Sequence, residues 1–335
     1  MINPESIGKD FHFALACVFC HKGDDKRQTK ELAHAGLIAR PSDDPKICSI
    51  CHKKIVLNYS KALHYTSLGQ REGVKHRFSA EELKTFDSKV FEQSCRTCHA
   101  SCGSCHVKSP PVAGITTGFL QGHKFVKKNE GKTCATCHGG RVYPEFTGEY
   151  GGTPDVHYQK GMMCVDCHKK REMHGDGMMY NSKQEVKDRP TCISCHKKRK
   201  YERSHEIHKD TSCQACHSSG QYRQCYSCHM ESGSTSKPDF ILGLNPRDKT
   251  TLTTLRLIPT IKTTFHKAGI KMENFDALPN YWNSSVHNIK KRTERTRSCD
   301  SCHVAKEGFL KRETLIKDGS KANEELIYNI KPINK

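Results

Sequence analysis

The chain has 335 residues, a formal net charge of +19, 35% apolar residues, one tryptophan and a mean hydropathy of −0.73. Such a composition excludes a bundle of membrane-spanning helices and is thin for an ordinary apolar core at this length. The 20 cysteines depart from ordinary usage and decide the class.

Every cysteine falls in a pair spaced C-x-x-C, and histidine follows each pair at once. In chain order these are CVFCH (Cys17, Cys20, His21), CSICH (Cys48, Cys51, His52), CRTCH (Cys95, Cys98, His99), CGSCH (Cys102, Cys105, His106) and CATCH (Cys134, Cys137, His138). Next come CVDCH (Cys164, Cys167, His168), CISCH (Cys192, Cys195, His196), CQACH (Cys213, Cys216, His217), CYSCH (Cys225, Cys228, His229) and CDSCH (Cys299, Cys302, His303). Zinc ribbons use such pairs without requiring a histidine directly after each. A thioredoxin-like pair sits in a βαβ pattern absent here, and disulfide scaffolds vary their spacings. Ten consecutive matches to C-x-x-C-H read instead as haem c attachment sites. Two thiols one local turn apart add to the two vinyl groups of one porphyrin, and the histidine is set against the ring to bind its iron. Ten covalent haems c are the expected cofactors.

Eleven of the 21 histidines lie outside the motifs: His12, His34, His64, His76, His123, His157, His174, His205, His208, His266 and His287. Ten irons closed on both sides by imidazole need ten distal ligands, so these are the candidates, with one to spare. A haem with both axial positions filled suits electron transfer, whereas a catalytic haem keeps one open. Met162, Met163, Met178 and Met179 are expected against porphyrin faces rather than as ligands.

The positive charge would ordinarily suggest nucleic acid. Two propionates per haem, less one charge per ferric centre, bring the oxidised holoprotein to about +9 and the reduced one to about −1. Lys197, Lys198, Arg199 and Lys200, with Lys290, Lys291 and Arg292, thus read as solvated faces or propionate partners, and no nucleic-acid partner is expected. The porphyrins also supply the missing apolar core, so the apoprotein is not expected to fold. No apolar run is long enough for a transmembrane segment. The opening MINPESIGKDFHFA lacks a charged-then-apolar leader. Because haem c is attached after export in prokaryotes, the chain reads as a mature form, placed outside the cell or on its surface, with the periplasm second.

Along the chain, each attachment motif is expected on a short helix. Motifs three and four (CRTCHASCGSCH) and motifs eight and nine (CQACHSSGQYRQCYSCH) are nearly back to back, which brings their porphyrins close together. The clearest independent helix spans 78–93, with Ser79 as N-cap and Glu82 three residues on. The stretch 231–298 carries no motif. Its β-leaning run at 250–261 and Trp282 predict a small strand-bearing flap that covers haems and donates one ligand, or else a partner surface. The expected blocks are 1–125 (haems one to four), 126–230 (haems five to nine), 231–298 and 299–335 (haem ten and a polar tail). The fold class expected is a multihaem cytochrome c: loops and turns with short α-helices wrapped round a row of haems, with little β structure.

Several segments, CHASCGSCHV, DVHYQKGMMCVDCHKKREMHGDG, SHEIHKDTSCQACHSSGQYRQCYSCH and NFDALPNYWNSSVHNIKKRT, resemble the large multihaem c-type cytochromes of bacteria and archaea that respire minerals or exchange electrons outside the cell. The likeness covers roughly 55–310. It implies distal ligation by His64, His123, His157, His174, His205, His208 and His287. His12 and His34 rest on position, and the spare is expected to be His76 or His266. Some members of that group polymerise into extracellular filaments in which one subunit ligates a haem of the next. A filament or other homo-oligomer is therefore expected here, with His12 the first candidate for a donated ligand. Electrons would pass to other cytochromes or to extracellular acceptors, without an enzymatic step. The competing readings are a multihaem reductase with one open haem, acting on nitrite, hydroxylamine or a sulfur oxyanion, and a soluble periplasmic shuttle or the haem plug of a conduit.

Overall fold

The computed structural model describes residues 10–108, 124–125, 131–149, 152–196, 203–218, 220, 222 and 239–330, less the side chains of residues 97, 98, 108 and 124. The chain folds into two compact units that interleave in sequence, one of residues 1–69, 98–134 and 167–189, the other of residues 70–97, 135–166 and 190–335.

The first unit is built from short helical pieces. Its longest, Lys46–Tyr59, carries the second attachment motif and bends at His52, where the backbone leaves helical geometry (φ −106°, ψ 36°). Tyr59 is buried and donates its hydroxyl to the Ala100 carbonyl. The helix Lys170–His174 ends beside the same region at Gly175, whose φ is +78°. A Cβ there would lie 2.8 Å from the Asn58 carbonyl oxygen, so the close approach depends on glycine. Two residue pairs form an antiparallel ribbon between β1 (Val107–Lys108) and β2 (Lys124–Phe125). Among the described residues, the buried apolar side chains of this unit are Tyr59 and Ala62 alone.

The second unit holds a conventional core. Strands β3 (Ile241–Leu244), β4 (Leu252–Leu257) and β5 (Tyr281–Asn283) form an antiparallel sheet with β4 in the centre, registered Leu242 on Thr254 and Arg256 on Trp282. Leu255 is fully buried with Tyr281, Leu310 and Leu326. A second cluster joins Phe78, Phe86 and Phe91 to Ile270, Met272 and Phe275. Burial of each such side chain contributes about 2 kcal/mol. The helix expected over 78–93 is present as Ala80–Phe86, continued by a π turn over Asp87–Phe91. Its capping box is formed: Glu82 N–H donates to Ser79 Oγ (3.4 Å) and Ser79 N–H to Glu82 Oε2 (3.1 Å).

The motif-free stretch carries the expected strands, and four successive β4 residues from Leu252 to Leu255 are buried. The described part of the polar tail is also tied down. Asn323 Oδ1 accepts from Asn280 N–H (2.6 Å), Ser320 N–H donates to Asn280 Oδ1 (2.8 Å), and Asn280 Nδ2 reaches the Thr260 carbonyl (2.7 Å). Buried amides that satisfy one another in this way fix a single packing. Among the described residues, no helix is long and apolar enough to cross a membrane.

Candidate haem-binding sites

Every attachment motif among the described residues lies on a helical turn: Cys17–His21, Lys46–Tyr59, Cys95–Cys98, Cys102–His106, Gly131–His138, Cys164–Cys167, Cys192–Cys195, Cys213–His217 and Cys299–His303. One turn sets both sulfurs and the following histidine on one side of the chain, the arrangement that a single porphyrin requires. Cys225, Cys228, His229 and His123 lie outside the described residues, as does the side chain of Cys98.

Five motif histidines face a non-motif histidine. The ring centroids are 6.1 Å apart for His52 and His12, 5.9 Å for His106 and His174, and 6.0 Å for His196 and His157. They are 6.2 Å apart for His217 and His205, and 6.1 Å for His303 and His208. Two imidazoles bound on opposite sides of one metal, with metal–nitrogen bonds of about 2 Å, place their ring centroids about 6 Å apart. Imidazoles in direct stacking contact come closer, as His12 does to Phe125 at 4.1 Å. The spacing and chemistry of these pairs therefore fit an intervening iron.

Hydrogen bonding orients the rings for the same role. Nδ1 faces an acceptor in His12 (Asp10 Oδ1, 2.7 Å), His157 (Asp155 Oδ1, 2.8 Å) and His168 (Glu172 Oε2, 2.9 Å). In His21, His208, His217 and His287 it faces a backbone carbonyl, of Ile38 (2.8 Å), Ser204 (2.8 Å), Lys290 (3.0 Å) and Ser285 (3.1 Å) respectively. These oxygens only accept, so each is a partner for a proton on Nδ1, the tautomer in which Nε2 is the metal-binding nitrogen. Burial pushes the His64 imidazole pKa down; Glu172 opposes this and His168 adds to it. Burial likewise lowers His174, with His106 and Lys170 contributing. Both are thereby favoured in the neutral form that binds metal.

Apolar side chains complete the fit. Phe19, Ile50 and Ile193 inside attachment motifs, and Phe11, Tyr158, Ile207 and Val304 beside candidate axial histidines, are all exposed on the protein. They present apolar surface of the kind that a porphyrin face would cover. Among the described residues, no group of three or more His, Cys, Asp or Glu is arranged to hold a metal ion; a haem iron asks for two imidazoles.

Other predicted residues stand apart from these pairs. His99 meets Tyr65 edge-on at 5.4 Å, and His138 ends the helix Gly131–His138. His34 caps the helix Lys30–Ala33, and the loop after it returns to His21 through Ile38 N–H (2.7 Å). His287 N–H donates to the buried Glu145 (3.1 Å). His76 is exposed and reaches Glu72 through Nε2 at 3.4 Å, the nitrogen that an iron would need. His266 is exposed on the turn His266–Ala268. His12, the first candidate for donation to a neighbouring subunit, lies beside His52 of its own chain.

The structure also shows which motifs neighbour one another. The Cys48 and Cys102 thiols lie close enough to interact, as do those of Cys192 and Cys213, and the interaction raises the first thiol pKa of each pair and lowers the second. Motif two thus adjoins motif four, and motif seven adjoins motif eight. Cys216 and Cys302 interact electrostatically, which places motif eight near motif ten. The motif-free stretch holds motif eight directly. Arg295 donates to the Ala215 and Ser218 carbonyls (3.0 and 3.3 Å), Thr293 to Cys216 O (2.9 Å), and Lys290 N–H to His217 O (2.8 Å). Asp10, Asp155 and Glu172 are not among the residues that the motifs single out, although the first two share the spelling D-x-H. No family model matches this chain, and no curated protein or solved structure matches it either.

Proposed function

We propose that the chain is a decahaem c-type cytochrome that conducts electrons over long range outside the cytoplasm. The observation that carries this is the set of five motif–distal imidazole pairs at 5.9–6.2 Å. The cysteine pairs would hold each porphyrin by thioethers, and the histidine pairs would close its axial positions. Haem c, when bound, supplies a one-electron iron couple. The chain's own contribution is to keep both axial positions occupied, fix the imidazole tautomers and set neighbouring motifs in contact. Closed axial positions leave no place for a substrate, which favours conduction over reduction chemistry.

The proposal extends to a homo-oligomer, in filament form, that passes electrons to other cytochromes or extracellular acceptors. The direct test is the chain matured with covalent haem attachment. Intact mass should show ten haems, and the ferric spectrum should be entirely low-spin. A high-spin ferric centre, or cyanide binding at one haem, would overturn the conducting reading in favour of a reductase. A monomer at high concentration by size exclusion and microscopy would overturn the filament.

A further inference from the structure

Two short turns of this chain repeat one device. In Asp10-Phe11-His12 and in Asp155-Val156-His157, the aspartate caps a helical turn and one of its oxygens serves the histidine twice. Oδ1 accepts the histidine backbone N–H (3.1 Å at His12, 2.8 Å at His157) and faces the ring Nδ1 (2.7 and 2.8 Å). The two sites differ in depth. The Asp155 side chain is 3% exposed and its Oδ2 also accepts from Ile289 N–H (2.7 Å), whereas Asp10 is 26% exposed. Both histidines are members of the 6 Å pairs, His12 with His52 and His157 with His196. The corresponding rings of His208 and His217 lean on neutral backbone carbonyls instead. Glu172 gives His168 a carboxylate without the backbone contact.

We propose that Asp10 and Asp155 are positioning residues that lower the reduction potentials of the haems at motifs two and seven; this rests on the cytochrome reading above. A carboxylate draws the Nδ1 proton more strongly than a carbonyl does, which raises the electron density at Nε2 and the basicity of the ligand. A more basic axial ligand favours ferric over ferrous iron, and hydrogen bonding to the axial ligand is one of the levers a protein has on haem potential. Reduction adds one electron to the iron from an external reductant, the proton stays on Nδ1, and no bond forms or breaks. The effect is larger at Asp155, where burial leaves the carboxylate charge less screened.

The test uses the holoprotein with its full haem complement, titrated with dithionite and followed spectroscopically. His157→Met should convert one bis-histidine signal to a histidine–methionine one and so mark its haem; His12→Met should do the same at motif two. Asp155→Asn, made with His157 in place, should keep every haem bis-histidine and raise only the midpoint that His157→Met had displaced. Asp10→Asn should do likewise for its own haem, by a smaller shift. If His157→Met and His12→Met leave the bis-histidine signals intact, the ligand assignment fails, and the functional reading at those sites fails with it. If the markers behave but Asp155→Asn leaves the midpoint in place or lowers it, the inference alone is overturned. Should Asp155→Asn not mature, the more exposed Asp10→Asn decides, and an unmoved midpoint there overturns the proposal.

Discussion

At the scale of single residues, the buried polar groups carry the clearest consequences. Arg77 is 2% exposed, yet its guanidinium has partners: Nη1 donates to Phe275 O (2.6 Å), Nη2 to Pro279 O (2.9 Å), and the cation lies 4.5 Å from the Phe275 ring centroid. Burial pulls its pKa down to about 10, with Asp276 opposing. A methionine would match much of the stem but leave both carbonyls unpaired. Arg77→Met should therefore destabilise this packing by about 3 kcal/mol. The check is amide exchange in the helix Ala80–Phe86, which should speed up correspondingly while exchange in β4 changes less. A unit whose apolar cluster closes on a buried cation has specified its packing by hydrogen bonds as well as by volume.

At the scale of elements, the turn between β3 and β4 is held by one carboxylate. Asp248 Oδ1 accepts from the N–H groups of Thr250 and Thr251 (2.8 Å each), and Asn245 Nδ2 reaches Oδ2 (2.6 Å). Slight burial pushes the carboxyl up, but these donors outweigh it and bring it to about 2. A carboxyl held below its unfolded value, near 3.9, contributes stability at higher pH and loses it as pH falls through the folded pKa. Protection of the Thr250 and Thr251 amides should thus weaken between about pH 4 and pH 2. Asp248→Asn should lower that protection at neutral pH and flatten the pH dependence. The helical turns at the attachment motifs are of another kind. Most are four or five residues long, too short to persist by backbone bonding alone, so packing must hold them.

At the scale of the whole molecule, apolar burial is uneven. The clusters around Leu255, Phe86, Leu242 and Phe240 all belong to the second unit, while the first buries Tyr59 and Ala62 among its described residues. Backbone ordering costs about 1–2 kcal/mol per residue, which two buried apolar side chains cannot offset. The covalent porphyrins supply the remainder in the proposed cytochrome. Expressed without haem attachment, the chain should keep slow-exchanging amides in β4 and the helix Ala80–Phe86 and show none over 17–66. Equal protection in both regions of the apo chain would count against the porphyrins being the core of the first unit.

By itself, the sequence determined the ten C-x-x-C-H motifs and the candidate ligands. Covalent sites are local, written as two cysteines and a histidine within one turn, and tertiary context does not alter them. The capping box at Ser79 and Glu82 and the strand around Leu252–Leu257 were legible for the same reason. Only the tertiary structure decided which histidine faces which. His12 lies beside His52 from forty residues away, and His208 beside His303 from nearly a hundred, and no spacing rule contains those pairings. It also decided that motif two adjoins motif four, that β4 is core, and that aspartates stand behind two of the candidate distal ligands. Such relations are long-range. They arise from how the segments between motifs pack, and a sequence pattern records only neighbours along the chain.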